Sequence, residues 1–234
     1  MLHYNRLEAD PNAAALKSLY VWELPVRLWH WVMFLAMLVL FVTGFLIAYP
    51  PPTVGGEASD HFVLGYIRFA HFASGYVLAV FWLLRIYWAF VGNDYARQIF
   101  LPPVWSAKWW EEFRNDIRTY AFLPSAKEYR YGGHNPMAQL AMFVLLTLGS
   151  IFQIVTGFAL YSEGAGKGTW SDKLFGWVIP LFGQSQDVHT LHHLCMWVLI
   201  VFTTAHLYMV FRQDITTKES ILSTMISGFR TFKD

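Results

Sequence analysis

The chain has 234 residues, of which 56% are hydrophobic and only 14% charged, with a net charge of +1. A soluble domain carries roughly 25% charged residues, so an ordinary soluble fold is excluded, and the absence of a basic block or motif argues against nucleic-acid binding. The single cysteine, Cys195, rules out an intrachain disulfide, a cysteine-rich zinc site or an iron–sulfur cluster in this chain, and no C-x-x-C-H is present for c-type haem attachment.

In chain order, a mixed polar segment of about twenty residues comes first. The first apolar run, 26–49, reads "VRLWHWVMFLAMLVLFVTGFLIAY" and lies between Pro25 and the triple proline Pro50–Pro52. No small-x-small site closes it, so it is expected to be a retained span and not a cleaved signal. The second run, 65–91, is "GYIRFAHFASGYVLAVFWLLRIYWAFV". A connection, 92–136, follows. Its stretch "WSAKWWEEFRNDIRTYAFL" mixes aromatic and charged residues and predicts an amphipathic helix lying at the membrane interface. The third run, 137–161, is opened by Asn135-Pro136, a good N-cap followed by a good first helical residue. The fourth, 188–211, starts beside His189, His192 and His193 and holds His206 near its end.

Each run reaches the roughly 20 residues needed to cross a bilayer. The expected fold is therefore an all-α membrane protein: one domain over residues 1–234, built as a four-transmembrane-helix bundle. Lys and Arg number 13 in the N-terminal segment, the 92–136 connection and the tail, against two, Lys167 and Lys173, in the 50–64 and 162–187 connections. That bias places both termini in the cytoplasm. The tetrapeptide Val-Thr-Gly-Phe occurs at 42–45 and again at 155–158, late in spans one and three. Its glycines mark places where something approaches a helix closely.

A polar imidazole in lipid is costly and should have a partner. His192 and His206 are 14 residues apart, about 40° short of four full helical turns and about 21 Å along the axis. They share one face, one near the outer end of the span and one near the inner end. His30, about one turn into span one, matches the depth of His206. His71, near the outer part of span two, matches His192. Two pairs at two depths, each from two helices, suit bis-imidazole haem, a flat apolar group needing an axial nitrogen on each face. Gly44 and Gly75 would admit the ring. Arg27, Arg85 and Arg212 near the inner ends, and Arg68 near the outer, would meet propionates. His189 and His193 have metal-pair spacing, but no carboxylate or cysteine completes a site in sequence.

The stretches "PVRLWHW", "GYIRFAHFASG", "RIYWAFVGN", "GGHNPMAQLAMF", "VTGFALYSE", "DVHTLHHLCMW" and "AHLYMVFRQDI" resemble the cytochrome b subunit of membrane-bound uptake nickel–iron hydrogenases, a family related to the cytochrome b subunit of formate dehydrogenase. The resemblance runs from about residue 20 to 233. It implies a four-helix protein of the bacterial cytoplasmic (inner) membrane with two non-covalent haems b, and the family's ligand positions match His30, His71, His192 and His206. It also implies partners: the iron–sulfur chain of the hydrogenase small subunit, the large subunit beyond it, and membrane quinone (menaquinone or ubiquinone) as acceptor. Hydrogen would be split on the partner and not here.

On this reading the outer haem (His71/His192) receives electrons and the inner haem (His30/His206) passes them on. Quinone candidates near the inner haem are His134, Asn135, Arg212 and Asp214. The partner surface would be the connections 50–64 and 162–187, including Glu57, Asp60, Glu163 and Asp172. The rival readings are a formate dehydrogenase or other periplasmic oxidoreductase subunit, a histidine-lined metal transporter, and a haem-free anchor.

Overall fold

A computed structural model describes residues 18–52, 55–57, 61–121, 123 and 130–232. Asp60 and the basic residues Arg6, Lys17, Lys127 and Lys233 lie outside these. Four helices are long and apolar enough to cross a membrane: α1 (Leu24–Ala48), α2 (Val63–Val91), the run Pro136–Ala165 and α8 (Ser185–Thr217). Only 17–22% of each apolar window is buried within the chain. Leu35, Leu83 and Val201, all more than half exposed, therefore need a cover that water cannot provide but lipid can. The chain is a multi-pass membrane protein.

Local chemistry sets the helix ends. The Glu23 carbonyl accepts from the N–H groups of Val26 and Arg27 to open α1, and Pro50–Pro52 stop its continuation. Between spans two and three comes a 3₁₀ turn, Asp94–Arg97, then α3 (Ala107–Tyr120), whose N-cap Ser106 accepts from the Trp109 N–H. The third span is interrupted. It starts as α4 (Pro136–Ala141), capped by Asn135 with Pro136 in the first turn, passes through a π-helical segment, Met142–Leu148, and resumes as α5 (Gly149–Ala165). The hydroxyl of buried Thr147 in the π segment donates to the Ile99 carbonyl at 2.9 Å. Short helices α6 (Trp170–Phe175) and α7 (Val178–Phe182) follow, and α9 (Ile221–Ser227) comes after α8.

The fold is not wholly helical. Strand β1 (Ser18–Tyr20) pairs antiparallel with β2 (Phe229–Thr231), Leu19 opposite Arg230. Three-residue strands carry too little alternation to be seen in sequence.

The chain divides into two compact units. The first comprises residues 1–28, 85–148 and 202–234. Val21, Trp22, Val26 and Ala96 form its apolar centre, with Trp88, Tyr95 and Met225 packed around them. The ribbon β1–β2 joins the two ends of the chain inside this unit. Buried Arg230 bonds Glu219 at 2.6 Å and donates to the carbonyls of Gly132 and Gly133, just before His134. The N-terminal segment, the 92–136 connection and the tail are thus tied together.

The second unit comprises residues 29–84 and 149–201. Trp29 meets Trp82 edge to face at 5.3 Å, and Met33, Ala36 and Leu78 are buried. An aromatic array, Tyr76, Phe158, Tyr161, Trp170 and Phe175, fastens α6 to α5 and α2.

Candidate functional site

The second unit brings His71 of α2 and His192 of α8 together. Their ring centroids are 6.5 Å apart, with planes at 65°. Rings this close would be able to hold one metal between them, given metal–imidazole bonds of about 2.0 Å.

Each ring is held from behind in the same way. His71 Nδ1 lies 2.9 Å from the Thr43 hydroxyl on α1, and His192 Nδ1 lies 2.8 Å from the Thr156 hydroxyl on α5. A hydroxyl has one hydrogen, and each threonine directs it at the carbonyl one turn back, Val39 at 2.6 Å and Phe152 at 2.7 Å. The oxygens therefore accept from Nδ1–H. That tautomer leaves the Nε2 lone pair of both rings free to ligate.

The next residue in each case is glycine. A Cβ at Gly44 would stand 3.4 Å from His71 Cε1 and 3.2 Å from Met196 Sδ, and one at Gly157 would stand 3.3 Å from His192 Cε1. A Cβ at Gly75 would meet nothing within 4 Å, so the space beside it is open. Two imidazoles with Nδ1 engaged, small residues beside them and an apolar surround fit the donor set of a bis-imidazole haem.

His193 faces elsewhere. It accepts from the Trp197 indole at 3.1 Å, and its ring meets Tyr49 at 6.3 Å. His189, exposed, turns back to the Ser185 carbonyl at 3.0 Å. His30 lies on α1 in the second unit. His206 lies on α8 in the first, its ring stacked on Phe202 at 6.0 Å.

The expected cations have protein contacts. Arg27 donates to the Ile226 carbonyl. Arg68 lies over Phe72 at 5.8 Å. Arg85 is 2% exposed, donates to the Ala96 carbonyl at 2.6 Å and lies over Phe100.

Within the first unit, Asn135 and Arg212 converge on Tyr120. The Asn135 side chain caps α4 through its oxygen and donates from Nδ2 to the Tyr120 phenol at 2.9 Å. The Arg212 guanidinium lies 5.8 Å from the Tyr120 ring centre. His134 packs on Trp22 at 5.0 Å, and its backbone N–H donates to the Gln98 side-chain oxygen. Asp214 accepts from the Leu222 N–H at 3.3 Å.

Asp116 and Glu112 are buried on α3, one turn apart and in line with Tyr120. Asp116 accepts from the Met137 N–H, and Glu112 accepts from the Tyr131 phenol. Burial pushes the Asp116 carboxyl up to about 7, with the Glu112 charge adding to the rise and the Met137 N–H opposing it. Burial also raises the Tyr120 phenol, so it stays protonated, although Asn135 and Arg212 pull the other way.

Thr43, Thr156, Tyr120 and Asp116 escape the sequence reading. For the two threonines the repeated Val-Thr-Gly-Phe, noted for its glycines, was the available signal. The acidic residues expected on a partner surface are partly engaged within their own loops: Glu163 accepts from Ser185 at 2.5 Å and Asp172 from the Gly168 N–H at 2.7 Å. Glu57 is exposed.

Four apolar helices with paired, hydroxyl-braced imidazoles make the framework of a membrane b-type cytochrome. The chain belongs to the prokaryotic cytochrome b561 family, whose model matches residues 21–228. It is 57% identical over 217 residues to a protein of Azotobacter chroococcum mcd 1 named "Probable Ni/Fe-hydrogenase B-type cytochrome subunit", covering 93% of this chain and 90% of that one. A protein of the same name in Rhizobium leguminosarum bv. viciae is 51% identical, covering 100% and 99%. The Escherichia coli K12 "Probable Ni/Fe-hydrogenase 1 B-type cytochrome subunit" is 47% identical, covering 92% of each.

Proposed function

We propose that this chain is the inner-membrane cytochrome b subunit of a nickel–iron hydrogenase, holding two haems b and passing electrons from the hydrogenase small subunit to quinone. The observation that carries the reading is the His71–His192 pair, with ring centres 6.5 Å apart and each Nδ1 bonded to a threonine hydroxyl. The relatives' names supply the partner. Haem, when bound, supplies a one-electron carrier that undergoes no covalent change. The protein's part is to fix the two imidazoles, exclude water with apolar side chains and keep the ligands neutral.

His30 and His206 would hold the second haem, at the depth set by the 14-residue offset between His192 and His206. The basic segments would face the cytoplasm, so electrons would enter at the outer pair and leave at the inner one. Quinone reduction needs a hydrogen-bond donor at the carbonyl and a proton supply. Tyr120, held by Asn135 beneath Arg212, offers a protonated phenol, and Asp116 offers a carboxyl that still carries a proton near neutral pH. Asp214 bonds the backbone before α9 and is a weaker candidate.

The metal-transporter reading would call for carboxylates in the central part of the spans, and the sequence places none there. The test is to purify the chain with its hydrogenase and admit hydrogen under anaerobic conditions. The account expects b-type absorption bands to develop in the reduced spectrum, at two haems per chain. A chain that co-purifies with hydrogenase and carries no haem would overturn it.

A further inference from the structure

Val-Thr-Gly-Phe is found twice in the chain, at 42–45 and 155–158, and both copies do the same thing. In each, the threonine hydroxyl meets Nδ1 of a histidine on the next span, at 2.9 Å for Thr43–His71 and 2.8 Å for Thr156–His192. In each, the following glycine lets the helix lie against that histidine's Cε1, 3.4 Å and 3.3 Å from where a Cβ would stand. Back-bonding of a threonine to the carbonyl one turn earlier is an ordinary way to satisfy a hydroxyl in an apolar helix. It explains the bonds to Val39 and Phe152. It does not explain why the same Thr-Gly pair faces both imidazoles.

We propose that Thr43 and Thr156 are positioning residues, two copies of one device that fix the tautomer and rotation of both axial imidazoles of a single haem and thereby set that haem's potential apart from the other's. This rests on the reading of His71 and His192 as haem ligands. An imidazole that donates from Nδ1–H becomes a stronger donor at Nε2, and a hydroxyl that has given its own hydrogen away accepts better. Stronger donation favours ferric over ferrous iron and lowers the potential. No third copy of the tetrapeptide accompanies His30 or His206, so the device acts on one haem only. It also brings spans one and three, which supply no ligand to that haem, into its control.

The experiment compares Thr43→Val and Thr156→Val, which remove the hydroxyl at nearly constant volume, with Thr43→Ser and Thr156→Ser, which keep it. Redox titration followed optically, electron paramagnetic resonance of the ferric haems, and haem retention in detergent are the readouts. Each valine variant should move the same haem to a more positive potential, change its ferric signal and weaken its retention by about tenfold or more. The serine variants should match wild type, and the other haem should not respond. Where a valine chain does not accumulate, alanine against serine at that position carries the same comparison. Unchanged titrations in both valine variants, or a different haem affected by each, would overturn the proposal. His71→Ala and His192→Ala are run beside them. Retention of both haems in these would mean that the ligand reading itself is wrong. Loss of one haem in each, with silent valine variants, would sink the threonine proposal alone.

Discussion

His71 and His192 come together with 6.5 Å between ring centroids, although 120 positions separate them in the chain. Each Nδ1 is bonded to a threonine hydroxyl, which directs ligation to Nε2. Replacing either with Ala should remove the same haem. Haem extracted with acid acetone should fall from two to one per chain in both variants, and the spectra of the two should coincide. Two retained haems in either variant would exclude that histidine as a ligand.

The glycines separate close packing against protein from close packing against haem. Alanine at position 44 or 157 gains about 1 kcal/mol in helix propensity, but the new Cβ crowds the Met196 sulfur at 44 and the His192 ring at 157, and overpacking costs about 1–3 kcal/mol. Both variants should melt earlier than wild type in detergent. Gly75→Ala meets no protein atom within 4 Å and should keep or raise the melting temperature. If the haem edge lies beside Gly75, that variant loses haem while its fold survives. Full haem content in Gly75→Ala would move the ring elsewhere.

Much of this arrangement is legible in the sequence, and the rest is hidden for physical reasons. Apolar length alone finds four spans, because a bilayer imposes a minimum on each. Asn135-Pro136 marks the third helix start, and the observed α4 begins there. The histidines stand out because imidazole is rare in lipid. The threonines do not, because a lone Thr in a span is unremarkable, and their partners lie 28 and 36 residues away. The π segment at Met142–Leu148 has no composition signal. Helix α3 misleads in a different way. Amphipathic logic sends Glu112, Asn115 and Asp116 outward, yet all three are buried, while Trp110 and Ile117 are exposed.

Asp116 gives a pH-dependent stability with a definite sign. Its folded pKa of about 7 lies above the ordinary carboxylate value of about 3.9, so the folded state binds the proton more tightly than the unfolded chain. The stabilising effect is complete below about pH 4 and is lost as pH rises through about 7. Asp116→Asn cannot ionise and still offers the Met137 N–H an acceptor. It should therefore melt several degrees above wild type at pH 8, with the gap closing toward pH 5. An equal gap at both values would show that Asp116 does not titrate in this range.

The joined ends of the chain fix a relation that topology can test. Because β1 pairs with β2 and four candidate spans separate them in the chain, the segments that carry the two strands share one side of the membrane. The positive-inside rule predicts that this side is the cytoplasm. A reporter active only in the periplasm, fused at the C-terminus, should be silent, and its fusion within 162–187 should be active. The opposite pattern would invert the orientation, and with it the direction of electron flow.

The central claim is that electrons cross the membrane from the outer histidine pair to the inner one before reaching quinone. His206→Ala, assembled with its hydrogenase, tests it most directly. Hydrogen oxidation with a soluble dye, which collects electrons before they enter this chain, should proceed at the wild-type rate. Hydrogen-dependent reduction of quinone should be abolished. If His206→Ala reduces quinone as fast as wild type, the inner haem is not on the path and the account is wrong.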